Sequence, residues 1–421
     1  MNSNEQTCEM KLKSATQFNS YQPLTPVLAI VEVVAPTLLS NDDELKGPSV
    51  EVALVLDTSS SMSNSMDQLN AILRHILKTT PTTIQTSLIS FNSFPTVEWT
   101  MQQMSNAAKV MLQPKCNLKA TGSTNIATAL DVALNQLTKN VSSTRMIILL
   151  SDGEPTVGPR KAQDILKKVA SHPLFGKTQI FCLGLGTAVD VELLTDLALT
   201  TQGRFYHLKN EEDMCRALGD CMGSAVSLVA GDVSVVVTPL MEDECHAQGE
   251  TQFVIGHMYA EDSRNVLVQI PAECDAYRVR LQYINALSGL SANMSRTFQI
   301  DRCGNLNPLE DPAVAVQLLR IECQQAIQRA QEAGEIKELE NLKEKLLQGP
   351  HTQNPMVQYI LGHLSNLIGE PRQDNVKNSL CALQVELATQ QTTGTMDGYG
   401  SNALRRQFSN AYATIADDLD N

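Results

Sequence analysis

Three short segments carry oxygen donors at spacings that suit a metal ion. Asp57-Thr58-Ser59-Ser60-Ser61 sets a carboxylate and two alternate hydroxyls within one loop; Ala120-Thr121-Gly122-Ser123-Thr124 adds hydroxyls; Leu149-Leu150-Ser151-Asp152-Gly153-Glu154 ends an apolar run on a second carboxylate. The candidate ligands are Asp57, Ser59, Ser61, Thr124 and Asp152. Hydroxyl and carboxylate oxygens with no His or Cys among them suit a hard cation. A compact octahedral site favours Mg²⁺, with Mn²⁺ a good substitute and Ca²⁺ also admissible. Each segment alone has a plainer use, since Asp-x-Ser-x-Ser before a helix can simply cap it and Ser-Asp-Gly is common turn chemistry. The metal reading rests on the three occurring together.

The elements that must position these loops follow from hydrophobic periodicity. Val52-Ala53-Leu54-Val55-Leu56 reads as a strand covered on both faces, and Met62, Met66, Leu69, Ile72, Leu73 and Ile76 mark the helix after it, over 62–78. Strands are then predicted at 84–91, 97–99, 145–150, 178–185 and 204–207. Helices are predicted at 105–112, 125–137, 160–170, 190–200 and 211–228. Such alternation implies a doubly wound, mostly parallel α/β sheet with helices on both faces, whose ligands bind at the carboxyl ends of the strands. All three oxygen-bearing loops fall at that edge.

Outside this region the pattern differs. Short strands at 232–238, 251–256, 264–270 and 278–283, separated by turns, signal an antiparallel β-sandwich. The strand-like run at 26–36 lies too far upstream to belong to the crossover series and is expected to join the sandwich, making the α/β domain an insertion. From Asp311 onward, helices at 312–332, 335–348, 354–368 and 372–391 are punctuated by Gly and Pro, with a Thr- and Gly-rich loop at 392–402 and a last helix at 403–418. The expected organisation is a flexible N-terminus at 1–20, a sandwich strand within 21–48, the α/β domain at 49–228, the β-sandwich at 229–305 and a helical region at 306–421.

In order and spacing, Asp57-x-Ser59-x-Ser61, Thr124 and Asp152 resemble the metal-ion-dependent adhesion site (MIDAS) of the von Willebrand factor A (VWA) domain, a Rossmann-like fold. The resemblance covers roughly residues 49–228. It implies that Ser59, Ser61 and Thr124 bind the ion directly and that Asp57 and Asp152 do so directly or through water. It also implies an open coordination position for an Asp or Glu of a protein partner. With its flanking sandwich and helices the chain looks like an intracellular group that includes plant RING-finger proteins with A domains and protist A-domain proteins. The inter-alpha-inhibitor heavy chains are a more distant secreted analogue. The chain has no Cys/His cluster able to form a RING, so ubiquitin-ligase activity does not carry over.

Composition sets further bounds. The 32 Lys and Arg stand against 46 Asp and Glu, a net charge of −14 with no basic block, which argues against nucleic acid or anionic membrane as partner. Ten scattered cysteines without a Cys-x-x-Cys read as reduced thiols. The start, Met1-Asn2-Ser3-Asn4-Glu5-Gln6, lacks the regions of a signal peptide, and no apolar run reaches the roughly 18 residues of a spanning helix. An intracellular, cytoplasmic protein is therefore expected. Gly184-Leu185-Gly186 fails as a dinucleotide fingerprint because Val189 holds the third glycine position, and there is no phosphate loop or His-Glu-x-x-His. The expected function is a non-enzymatic module that binds a protein through its metal. The alternatives are an adaptor or pseudo-ligase component of the ubiquitin system, and a metal-dependent hydrolase for which no general base stands out.

Overall fold

The computed structural model describes residues 11–16, 27–36 and 49–369, apart from 83, 139–142, 153–154, 186–188, 209–210, 241–248, 287, 301–311 and 334–336. Two strands come first, β1 (Lys11–Thr16) and β2 (Val27–Val34), antiparallel to each other with Ser14 opposite Val31. The expectation of a flexible terminus over 1–20 thus gives way to a strand in part of that span. β1 is short and carries two lysines, features of a protected sheet edge that give little hydrophobic signal.

The described part of Ser40–Leu228 forms one compact unit. It opens with β3 (Ser49–Asp57), a 3-10 turn at Ser60–Ser65 and helix α1 (Met66–Thr79). The start predicted for this helix, at 62, is therefore taken by the tighter turn. Next come β4 (Ile84–Phe91), β5 (Pro95–Gln103), α2 (Asn106–Leu112), α3 (Ile126–Gln136) and β6 (Ser143–Ser151). The unit ends with α4 (Ala162–Val169), β7 (Gln179–Leu185), α5 (Val191–Thr200), β8 (Phe205–Leu208) and α6 (Glu211–Ser227).

These six strands run in the order β5-β4-β3-β6-β7-β8, all parallel except β5, which returns antiparallel to β4 as the edge. Val52 to Leu56 and Met146 to Leu150 are buried without alternation, as expected for central strands covered on both faces. Helices α3 and α5 pack on the sheet with α4 between them, and α6 packs against β3, β6, β7 and β8. The strand order reverses between β3 and β6. Their carboxyl ends therefore border the crevice where ligands bind in open α/β sheets.

The described parts of Met1–Leu39 and Val229–Ser401 form the other unit. Strands β9 (Leu228–Leu240), β10 (Thr251–Tyr259), β11 (Ser263–Ile270), β12 (Ala276–Asn285) and β13 (Ser291–Gln299) complete two sheets, β1-β2-β11 and β10-β9-β12-β13. One core joins them: Ala29, Val31 and Val33 of β2 pack with Val233, Val235 and Val237 of β9 and with Tyr277, Val279 and Leu281 of β12. The expected sandwich is thus present, and the α/β domain is inserted between β2 and β9. Strand β13 was not anticipated, because its sequence is mostly polar and only Ala292, Met294 and Phe298 lean on the core.

Helices α7 (Pro312–Ala333), α8 (Lys337–Gln348) and α9 (Pro355–Gly369) share a small core that includes Ile327, Leu339, Leu342, Ile360 and Leu364. Leu346, on the same face of α8 as Leu339 and Leu342, is buried in that core as well. The helices predicted at 372–391 and 403–418 and the loop at 392–402 lie outside the described residues. Among the described residues no helix is long and apolar enough to cross a membrane.

Candidate metal centre

Asp57 is the last residue of β3 and is fully buried. Its Oδ1 accepts the backbone N–H of Ser59 at 2.8 Å, which bends the chain sharply out of the strand, and its Oδ2 accepts the hydroxyl of Ser151 at 2.6 Å. The Oγ atoms of Ser59 and Ser61 lie 3.0 Å apart, and Ser61 Oγ donates to Asp152 Oδ1 at 2.9 Å. Four of the five sequence-predicted residues are therefore linked in one hydrogen-bonded chain across the β3–β6 crevice. Ser59 is buried, Asp152 half-buried and Ser61 exposed, so the cluster grades from interior to solvent.

Thr124 is placed by its loop. Thr121 N–H donates to Thr58 O at 2.7 Å and Ser60 N–H to Gly122 O at 3.1 Å, binding this loop to the first. Gly122 adopts φ +78°, a left-handed turn that favours glycine, and an added Cβ would crowd Ser93 Oγ at 3.2 Å. On the far side Thr156 Oγ1 accepts the Thr124 amide at 2.9 Å, and the amides of Thr156 and Val157 both donate to Thr124 O at 3.0 Å. Asn125 then caps α3 by accepting Thr128 N–H. The Thr124 side chain is 3% exposed and makes no hydrogen bond among the described residues. Among the described residues nothing competes with a ligand for its hydroxyl.

The electrostatics of the two carboxylates favour a cation beside them. Burial pushes the Asp57 carboxyl above its ordinary value, with hydrogen bonds from Ser151 and Ser59 opposing and the charge of Asp152 reinforcing the rise. Burial also raises Asp152, opposed by its hydrogen bond from Ser61. A buried carboxylate beside a half-buried one is costly unless a cation or a proton joins them. Among the described residues no three His, Cys, Asp or Glu side chains group into a metal site. The donor set that fits an ion here is two carboxylates with three hydroxyls, which is the chemistry of a small hard cation.

Two supporting residues escaped sequence reasoning. Ser151, marked in the sequence only as turn chemistry, is the partner of Asp57, and Thr156, outside the oxygen pattern, holds Thr124. The signal for Ser151 lay in strand register, since Leu56 sits opposite Leu150 and the next residue of each strand falls at the same edge.

Residues 51–218 match the von Willebrand factor type A domain. Inter-alpha-trypsin inhibitor heavy chain H4 of Homo sapiens is 31% identical over 183 residues, covering 40% of this chain and 19% of that protein. Heavy chain H2 of Mus musculus is 30% identical over 176 residues, covering 38% and 18%. The chain thus spans about a fifth of the length of these curated relatives. Among solved structures, a von Willebrand factor type A protein from Catenulispora acidiphila superposes with a TM-score of 0.67 at 15% identity over 92% of this chain and 98% of its own. The ArnB paralog VWA2 from Sulfolobus acidocaldarius gives 0.58 at 16% identity over 91% and 99%. At such identities the likeness concerns the fold alone.

Proposed function

Because the chain carries a von Willebrand factor type A domain at residues 51–218, a module that typically mediates protein–protein interaction or adhesion, we propose that it captures an acidic side chain of a protein partner through a divalent cation. The observation that carries this reading is the convergence of Ser59 Oγ, Ser61 Oγ and Asp152 Oδ1 within 3.0 Å steps above the buried Asp57. Ser59, Ser61 and Thr124 would hold the ion directly, and Asp57 and Asp152 directly or through water. Mg²⁺ is the preferred occupant. When bound, the ion would supply positive charge at the crevice to a partner's Asp or Glu. Asp57 also keeps the loop bent, and Ser151 holds Asp57 in place.

Catalysis draws no support from the site. Among the described residues no histidine takes part in its hydrogen bonds. The net charge of −14 disfavours nucleic acid as the partner. A cytoplasmic setting accords with the buried free thiols of Cys116, Cys182, Cys215, Cys221, Cys274 and Cys323. Burial pushes Cys116 up to about 11 and Cys323 up to about 12, which keeps both protonated and unreactive.

The test is a quantitative pull-down with three baits: the chain in Mg²⁺, the chain in EDTA, and Thr124→Val in Mg²⁺. Proteins retained only by the first support metal-dependent capture. Equal retention by all three overturns it and moves the binding surface away from this crevice.

A further inference from the structure

Phe94 is 79% exposed, the most exposed large apolar side chain among the described residues. It sits on the turn between β4 and β5, and that turn is held firmly. Asn92 Oδ1 accepts Phe94 N–H at 3.1 Å, and Asn92 N–H donates to Phe94 O at 3.3 Å. The same turn is stitched to the loop that carries Thr124: Asn92 Nδ2 donates to Thr121 Oγ1 at 3.2 Å, Ser123 N–H to Ser93 Oγ at 3.2 Å, and Asn125 N–H to Asn92 O at 3.0 Å. The backbone of Phe94 is therefore held beside the loop that carries Thr124.

A second apolar side chain flanks the same loop. Val157 is 38% exposed, and its amide donates to Thr124 O. Between the two flanks, residues 120–125 and 92–94 carry no charged side chain. The loop side chains between these flanks are thus uncharged and mostly polar, and on the Val157 side the exposed Arg160 donates to Thr156 O at 3.2 Å. Val110 and Met111 on α2 are also exposed, at 72% and 77%.

We propose that the partner segment presents its carboxylate next to an apolar side chain, which packs on Phe94 and Val157 while the carboxylate meets the ion. The inference rests on the metal-capture reading and specifies the chemistry of the partner. An apolar side chain of the partner would take the exposed Phe94 ring out of water while the ion holds the carboxylate. Phe94 is then a specificity-determining residue, with the metal supplying the anchor.

The experiment uses an array of capped heptapeptides with a central Glu or Asp in a Ser background, in which one flanking position at a time is Leu, Phe, Lys or Ser. Full-length chain, Phe94→Ser, Thr124→Val and the control Val110→Ser are applied in Mg²⁺ and in EDTA. The unaltered chain in Mg²⁺ is expected to prefer Leu- and Phe-flanked peptides by at least about fivefold, the effect of one well-packed contact. Phe94→Ser should erase that preference and keep Mg²⁺-dependent retention; Val110→Ser should change neither. Because the Phe94 ring is exposed, its loss leaves the fold intact. A preference that survives in Phe94→Ser, or is absent from the unaltered chain, overturns the inference while Mg²⁺ dependence still stands. Absence of Mg²⁺-dependent retention removes both readings.

Discussion

The hydroxyl of Ser151 donates to Oδ2 of Asp57 at 2.6 Å, joining the last residues of two neighbouring parallel strands that are 94 positions apart in the chain. The bond gives a buried carboxylate its second donor. It also makes the shape of the first metal-site loop depend on the end of β6.

Ser151→Ala removes that donor and leaves Oδ2 buried without it. The metal-free protein should lose about 1–3 kcal/mol of stability, the usual cost of stranding a buried acceptor. Urea unfolding followed by the fluorescence of Trp99 measures it, since this single tryptophan is buried in the same sheet with its indole N–H on Thr86 Oγ1. No change in the midpoint would show that another group serves Asp57.

Metal binding should stabilise the fold by mass action. At a free Mg²⁺ concentration one hundred times the dissociation constant the gain is about 2.7 kcal/mol, read as a rise in Tm. Thr124→Val deletes a hydroxyl that bonds nothing among the described residues, so its metal-free Tm should match that of the unaltered chain. Its Mg²⁺ response should vanish or need far more ion. A metal-free Tm that falls instead would give Thr124 a structural role.

At the opposite end of the sheet, Glu51 and Arg145 face each other across β3 and β6, both buried. Glu51 accepts the amide and the hydroxyl of Thr138, and Arg145 Nε donates to Thr138 O at 2.8 Å. Burial lowers the Arg145 pKa and the charge of Glu51 opposes that shift. Glu51→Ala should cost about 3–5 kcal/mol, because it strands a buried guanidinium. Glu51→Gln should cost less, since the amide still accepts from Thr138. The Trp99 urea assay separates the two.

Stability of the sandwich should depend on pH through His257. Burial pushes its ring down to about 4, with the charge of Asp232 opposing. An unfolded histidine titrates near 6.5, so below that the unfolded chain binds the extra proton and the folded one resists it. The contribution of the neutral ring is full above pH 6.5 and is lost as pH falls toward 4. Native-state hydrogen exchange in β9 and β10 should show protection falling over that window, and His257→Gln should flatten the slope. An unchanged slope in the variant assigns the pH dependence elsewhere.

The parts of this fold legible in the sequence were those with strong periodicity. The apolar runs ending at Asp57 and Ser151, and the stripe Leu69, Ile72, Leu73 and Ile76, are buried as the pattern requires. The oxygen donors were legible because Asp-x-Ser-x-Ser and Ser-Asp-Gly close such strands. What escaped depends on non-local partners. β13 and β1 are polar strands held by their neighbours, and β5 runs from Pro95 to Gln103 where only 97–99 showed a strand pattern. Thr156, Ser151 and the Glu51–Thr138 contact each join residues brought close only by the sheet's register. Phe94 carried no signal, because one aromatic in a turn reads as core until its exposure is known.

The route of the chain through the sandwich has a consequence for synthesis. Ser263 Oγ donates to Glu32 Oε1 across a separation of 231 residues, so β2 meets its neighbour β11 only after the whole inserted domain has been made. At roughly 5–20 residues per second, that delay is on the order of ten seconds to most of a minute. During it Val27-Leu28-Ala29-Ile30-Val31-Glu32-Val33-Val34 has only β1 for a neighbour and its other edge is open, with Glu32 its one charge. A lone carboxylate in such a run hinders stacking with the same segment of other nascent chains. Glu32 thus guards a vulnerable interval on the ribosome before it becomes a hydrogen-bond acceptor in the finished sheet, and its loss should show first as aggregation during expression.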